Sequence, residues 1–191
     1  LFITPFYLQN ILGYSPRDMG FVFLPGAICL TFASPIAGRF SDRFGARPCK
    51  VVGLALSATA LSLLALQLDV DSSIGLILLA LMLQSTGLGI FLSPTNSSIL
   101  SLVEPFRYGV VSALLQLSRN LAHVASVALI TVIVVVVMLS DGFEPSLDAV
   151  ASQGGEAIAS SFMAGLRRAC MIFAIMLLIG IGLSLPKSRE L

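Results

Sequence analysis

Ser112, Gln116, Arg119, His123 and Ser126 recur at spacings of four, three, four and three residues, with Asn120 beside them. At helical periodicity all five fall on one face. The stretch that follows, residues 127–139, is almost wholly aliphatic. A polar stripe in one half of an apolar helix suits a water-filled cavity or a packed polar interface, and polar groups at membrane depth are where function is sought first. Two depths are open for Arg119. Residues 120–139 alone suffice to cross a bilayer, which leaves Arg119 as an interfacial anchor and Gln116 in the cytoplasm. A helix that enters near Gly109 instead buries Arg119 roughly 15 Å deep and demands water or an anionic partner. No acid lies within a span, so such a partner is expected from a missing half of the protein or from a substrate. His123 is either a packed polar residue or a proton carrier, since imidazole titrates in the physiological range. Tyr7, Gln9 and Asn10, and Gln84 with Ser85, are further cavity candidates. Phe2 and Phe6 either form an aromatic wall for an apolar substrate or simply pack.

The densest charge stands in the segment from Gly38 to Lys50, in a chain where only 11% of residues are charged. Gly38 permits close helix approach at a membrane face, and Gly45 a tight turn. Asp42 can accept backbone N–H bonds at a helix N-terminus, while Arg43 and Arg47 can pair with acids or lipid phosphates. The plainer reading of the same residues is a basic cytoplasmic loop with one compensating acid.

Other chemistry finds little support. One histidine and three cysteines, Cys29, Cys49 and Cys170, show no metal-ligand spacing, so neither a metal site nor a disulfide framework is expected. No nucleophile, base and orienting group recur at usable spacing; no catalytic residue is assigned and the chain is not read as an enzyme. Gly87-Leu-Gly89 lacks a third glycine and a phosphate-binding lysine, and there is no P-loop, so no nucleotide or other cofactor is expected. A formal net charge of +1 excludes a nucleic-acid footprint.

The elements that position these residues follow from the gaps between charges. Residues 19–38, 51–68, 72–103, 120–140 and 169–186 contain no Asp, Glu, Lys or Arg. Each gap covers most or all of a hydrocarbon core about 30 Å thick at about 1.5 Å per residue. Backbone groups in lipid must be satisfied within a helix, so an all-α, multi-pass integral membrane protein is expected. Spans are placed at residues 19–37, 51–68, 74–93, 110–139 and 167–185. Residues 1–12 read as the second part of a sixth helix, 38–50 as a cytoplasmic loop and 140–166 as an outer loop. Arg39, Arg43, Arg47, Lys50, Arg107, Lys187 and Arg189 fall on one side and Arg17, Arg167 and Arg168 on the other. The first side is then cytoplasmic, the C-terminus included, in a plasma or inner membrane.

Gly38-x-x-x-Asp42-Arg43-x-Gly45, followed by Arg47, resembles the cytoplasmic signature of the major facilitator superfamily. Ala46 stands where that family usually has a base, and Lys50 where it has an aliphatic residue. The run from Tyr7 to Pro16, then Leu24-Pro25, Gly87-Leu-Gly89, Pro94 and Arg107-Tyr-Gly109 continue the likeness along the chain. Together they resemble the C-terminal half of the fourteen-span drug:proton antiporter branch. The resemblance implies the second six-helix bundle of a transporter that rocks against a missing N-terminal bundle, with the Gly38–Arg47 segment as a conformational switch. It implies that residues 1–12, 74–93 and 108–139 face the cavity and that 51–68 and 169–185 face lipid more. The partners implied are a small-molecule substrate, protons, the other bundle and membrane lipids. A secondary exporter of hydrophobic or amphipathic compounds is the leading reading. A non-transporting membrane receptor or scaffold, or a facilitator of another solute class, is the alternative.

Overall fold

The structure, a computed structural model, describes residues 15–67, 74–141 and 156–184. Tyr7, Gln9, Asn10, Phe2, Phe6 and the expected first helix at 1–12 lie outside the described residues. Five α-helices account for nearly all of the described chain: α1 (Pro16–Phe44), α2 (Ala46–Gln67), α3 (Ile74–Leu100), α4 (Tyr108–Ser140) and α5 (Glu156–Ser184). A single 3-10 turn, Pro105–Arg107, leads into α4, and no strand occurs among the described residues. All five helices are long and apolar enough to cross a membrane.

Local chemistry sets the helix ends. Ser15 caps α1, its Oγ accepting the Asp18 backbone N–H at 3.3 Å, with Pro16 in the first turn and the Asp18 carboxylate at the positive end of the helix dipole. The helix stops at Gly45, whose N–H donates to the Ser41 carbonyl at 2.9 Å and whose φ of +87° favours glycine. Within the spans, the Thr31, Ser34, Thr95 and Ser98 hydroxyls donate to carbonyls one turn earlier, so none is lost to lipid.

Helix extends past two of the expected span limits. The loop placed at 38–50 is helical except for Gly45, and the last helix begins at Glu156, inside the outer loop placed at 140–166. Gaps between charges measure hydrocarbon thickness, whereas a helix persists into the interface until a capping residue stops it.

The helices pack in the order α1, α3, α2, α5, α4; α1 touches α2 and α3 touches α4 only lightly. α1 and α3 run in parallel. The position of a Cβ on Gly26 would lie 2.9 Å from Ser85 Oγ, one on Gly89 would meet Ser34 and Ala33, and one on Gly38 would lie 3.3 Å from Ser93 Oγ. α2 runs antiparallel to α3 along Gly53, Ser57, Gly87 and Phe91. Toward the far end from Gly45, Ile77 and Leu81 of α3 meet Val134 and Met138 of α4 and Met163 and Leu166 of α5 in the main hydrophobic cluster.

α2 has a buried side, and α5 is enclosed ahead of the 169–185 stretch that the family likeness sets toward lipid. α2 buries Gly53, Ser57, Ala58, Ala60 and Ala65, and α5 buries residues 161–163, 165 and 166. Lipid and a protein interior are equally apolar, so uniform hydrophobicity does not tell them apart; small side chains, which let backbones close up, do. The other part of α5, with Ile175, Leu178 and Ile179, stays exposed.

Candidate functional site

The polar stripe belongs to a longer face of α4. Ile130, Val134 and Met138 follow Ser126 at steps of four on the same side of the helix as Ser112, Gln116, Arg119, His123 and Ser126, and they pack into the cluster. One face is therefore apolar and enclosed toward Ser140, and polar and open toward Tyr108. Ser112, Gln116, Asn120 and His123 are exposed, Arg119 and Ser126 half-buried. The opposite face carries Val110, Leu114, Leu117, Leu121 and Val124, all exposed. This part of α4 is amphipathic, and apart from Arg119 and Ser126 the residues named on both faces are exposed.

Among the described residues a polar tie to α3 is the bond from Arg119 Nη2 to Asn96 Oδ1. The chain supplies a neutral amide to Arg119 and no carboxylate, so the anionic partner expected from outside the chain is not replaced by it. On α4 itself, Gln116 Nε2 donates to Asn120 Oδ1 at 3.3 Å, and Ser126 Oγ donates to the His123 carbonyl at 2.8 Å. His123 borders a shallow hollow of about 380 Å³ that it shares with Val124, Val127 and Ala128.

The seams fix the level of Arg119. Gly165 meets Val134, and two residues further along α5 the Arg167 Nε donates to the Ala65 carbonyl at 3.0 Å, which aligns α4 with α2. Counting back along both helices at equal rise brings the Arg119 Cα level with about Val52, and hence with Phe91 across the Gly53 seam. Asn96 lies beyond Phe91 toward the Gly45 end, level with Asp42. Helical side chains lean toward the N-terminus, which for α4 is the Gly45 end. The Arg119 stem thus runs along the helix and delivers its charge near the rim, the arrangement of a snorkelling arginine.

The Gly38–Arg47 segment stands at the same rim. Asp42, Arg43 and Arg47 are exposed, and Gly38 is half-buried against Ser93. Asp42 is not at the N-terminus of its own helix. It occupies the last turn of α1, at the negative end of the dipole, a placement unfavourable by about 0.3–1 kcal/mol, while Arg43 in the same turn is favourable. The Arg43 guanidinium lies 5.7 Å from the centroid of Phe44, itself stacked on Phe40. An apolar groove of about 550 Å³, lined by Phe40, Phe44, Pro48 and Val52 among others, flanks the Gly45 break.

Gln84 is half-buried in α3 on the face that carries Ile77 and Leu81, one turn nearer the Gly45 end. Its Oε1 is buried without a hydrogen-bond partner. Ser85 faces Gly26. Sequence reasoning missed Asn96, although the polar run from Thr95 to Ser98 inside an uncharged stretch marks it. It also missed Arg167 as the group that ties α5 to the last carbonyls of α2. Among the described residues no group of histidines, cysteines and carboxylates could hold a metal.

The sequence profile of the Major Facilitator Superfamily matches residues 1–187. The riboflavin transporter RibZ of Clostridioides difficile is 35% identical over 127 residues, which cover 66% of this chain and 28% of that protein. The multidrug resistance protein Stp of Mycobacterium tuberculosis is 30% identical over 148 residues, 78% of this chain and 27% of that protein. The tetracenomycin C resistance and export protein of Streptomyces glaucescens is 34% identical over 116 residues, 61% of this chain and 21% of that protein. Matching segments thus span about a quarter of the length of these relatives. Their names describe transport or resistance, and none describes an enzyme. No solved structure matches the chain.

Proposed function

This chain belongs to the Major Facilitator Superfamily, and we propose that it is the C-terminal bundle of a secondary transporter that exports drugs or other hydrophobic or amphipathic molecules in exchange for protons. The observation that carries the reading is the α4 face, packed and apolar at one end, open and polar at the other. Such a face serves a membrane protein only where water, a solute or a second bundle covers it. Alternating access supplies all three in turn. The names of the multidrug and tetracenomycin relatives favour export, and the riboflavin transporter favours a small organic solute.

In this reading Gln84, Gln116, Arg119, Asn120 and His123, with Tyr7, Gln9 and Asn10 of the preceding helix, border the substrate path. Gly38, Asp42, Arg43, Gly45 and Arg47 form the switch at the cytoplasmic rim, where Asp42 sits unfavourably in its own helix and gains when the other bundle brings a cation or a helix N-terminus to it. The proton-carrying carboxylate comes from the N-terminal bundle. The C-terminus lies in the cytoplasm.

Reconstituted full-length protein tests this. Dye efflux from proteoliposomes driven by an imposed pH gradient is expected, and Asp42→Asn should cut it severely with expression and folding intact. Wild-type flux in the variant removes Asp42 from the switch. Absence of flux for every solute tried favours the receptor or scaffold reading.

A further inference from the structure

α1 and α2 meet at Gly45, touch each other only lightly, and pack instead on α3. The groove of about 550 Å³ is the cleft this leaves between them. Ile36, Phe40 and Phe44 of α1 form one wall and Val52 of α2 the other, with Ile90 of α3 between. The Cys49 thiol, also in the lining, is buried and turned to the Ala37 carbonyl at 4.0 Å, so it acts as a small apolar group. The cleft therefore suits hydrocarbon and offers nothing to a polar group. No residue of α4 lines it, so it is separate from the open α4 face.

Charge stands along one edge of this cleft. Ile36, Arg39, Phe40 and Arg43 fall at i, i+3, i+4 and i+7, which sets two wall residues and two exposed cations on one face of α1. The Arg43 guanidinium, 5.7 Å from the centroid of Phe44, lies against the wall itself. Asp42 is two positions from Phe40 and so falls on the opposite side of the helix. Arg39 is the first charge after the uncharged residues 19–38, which puts the two arginines where hydrocarbon gives way to headgroups. From residue 38 to residue 50 four cations stand against one carboxylate, so the rim as a whole attracts anions.

We infer that the cleft binds one anionic phospholipid of the leaflet at the Gly45 end, its phosphate on Arg39 and Arg43 and an acyl chain laid between α1 and α2 along Ile36, Phe40 and Val52. The two halves of the site select this occupant together. A zwitterionic lipid fills the cleft equally well but adds a cation to a rim already in positive excess, and a free anion has no hydrocarbon to bury. The site needs only a chain that crosses the membrane, so it does not rest on transport.

The test titrates full-length protein in detergent micelles with dioleoylphosphatidylglycerol or dioleoylphosphatidylcholine, and native mass spectrometry counts the lipids that stay bound. The first phosphatidylglycerol should bind at least about tenfold more tightly than the first phosphatidylcholine, the gain expected of two arginines at one phosphate. Arg39→Gln combined with Arg43→Gln should remove that preference, and because both side chains are exposed the fold should hold. Val52→Trp fills the cleft from an exposed position without touching charge, and should weaken the first phosphatidylglycerol about tenfold, the loss of roughly two buried methylenes. Equal affinities for the two lipids in the wild type overturn the site, as does a preference that survives loss of both arginines. Unchanged affinity in Val52→Trp overturns it too, because charge alone then holds the lipid and no chain enters the cleft. p-Benzoylphenylalanine in place of Phe44 identifies the occupant in liposomes that contain both lipids. A photo-adduct mainly with phosphatidylglycerol supports the site; a cross-link to another segment of the protein or to a second copy gives the cleft to protein and overturns it.

Discussion

Gly87 of α3 faces Gly53 of α2 so closely that a Cβ on Gly87 would lie 2.7 Å from the Gly53 carbonyl oxygen, 2.6 Å from Ser57 Oγ and 2.9 Å from the Ser57 nitrogen. Two of these three atoms belong to backbone and have no rotamer to escape into. The contact holds the two central helices at a separation that only glycine allows.

Gly87→Ala should therefore force the helices apart and destabilise the protein by about 1–3 kcal/mol, the usual cost of overpacking. Thermal unfolding in detergent measures it as a lowered midpoint. Gly20→Ala is the matched control. A Cβ at Gly20 meets nothing within 4 Å, so helix propensity alone acts there and the midpoint should hold or rise.

Gly45 is a different kind of glycine. Nothing would touch its Cβ, but its φ of +87° and ψ of 158° lie in a region closed to other residues. Gly45→Ala should cost about 1–3 kcal/mol if the junction keeps its shape. The helix break is then expected to relax, with α1 and α2 reoriented at the rim where Asp42 and Arg43 stand. In proteoliposomes the variant should lose flux more than it loses unfolding midpoint, whereas Gly87→Ala should lose the two together.

Arg167 ties α5 to the end of α2 through the Ala65 carbonyl at 3.0 Å and the Leu66 carbonyl at 3.5 Å. These are terminal carbonyls without intrahelical partners, at the negative end of the α2 dipole. Arg167→Ala should cost about 1–3 kcal/mol, as for hydrogen bonds to a charged group. Hydrogen exchange should quicken in the last turn of α2 and stay unchanged at the α1–α3 seam. Arg167→Lys keeps the charge but not the fork, and should recover part of the loss.

The gaps between charges made five membrane-length helices legible because a bilayer penalises charge steeply over a fixed thickness. The same signal is silent on what each apolar helix touches. For that reason the 51–68 stretch, which the family likeness sets toward lipid, gave no warning of a buried side, although Gly53, Ser57 and Ala60 at spacings of four and three mark it. The α4 stripe was legible for the opposite reason: polar residues stand out against an aliphatic background, and the Gln116–Asn120 bond follows from their spacing of four. Asn96 was not legible as the partner of Arg119, because a search for a countercharge passes over a neutral amide twenty-three residues away.

Gln84 separates stability from function. Its Oε1 is buried without a partner, and an unsatisfied polar atom costs about 1–3 kcal/mol unless something completes it. Native proteins keep few such atoms. Gln84→Met replaces the amide by an apolar chain of similar length, so the unfolding midpoint should hold or rise. If the oxygen awaits a donor from a substrate or from water in the transport path, flux should fall about tenfold, the loss expected for one hydrogen bond made only in the loaded state. A variant as stable as the wild type and equally active would make Gln84 a packing residue and remove it from the path; a stable variant with reduced flux keeps it there, as the point where α3 meets the solute.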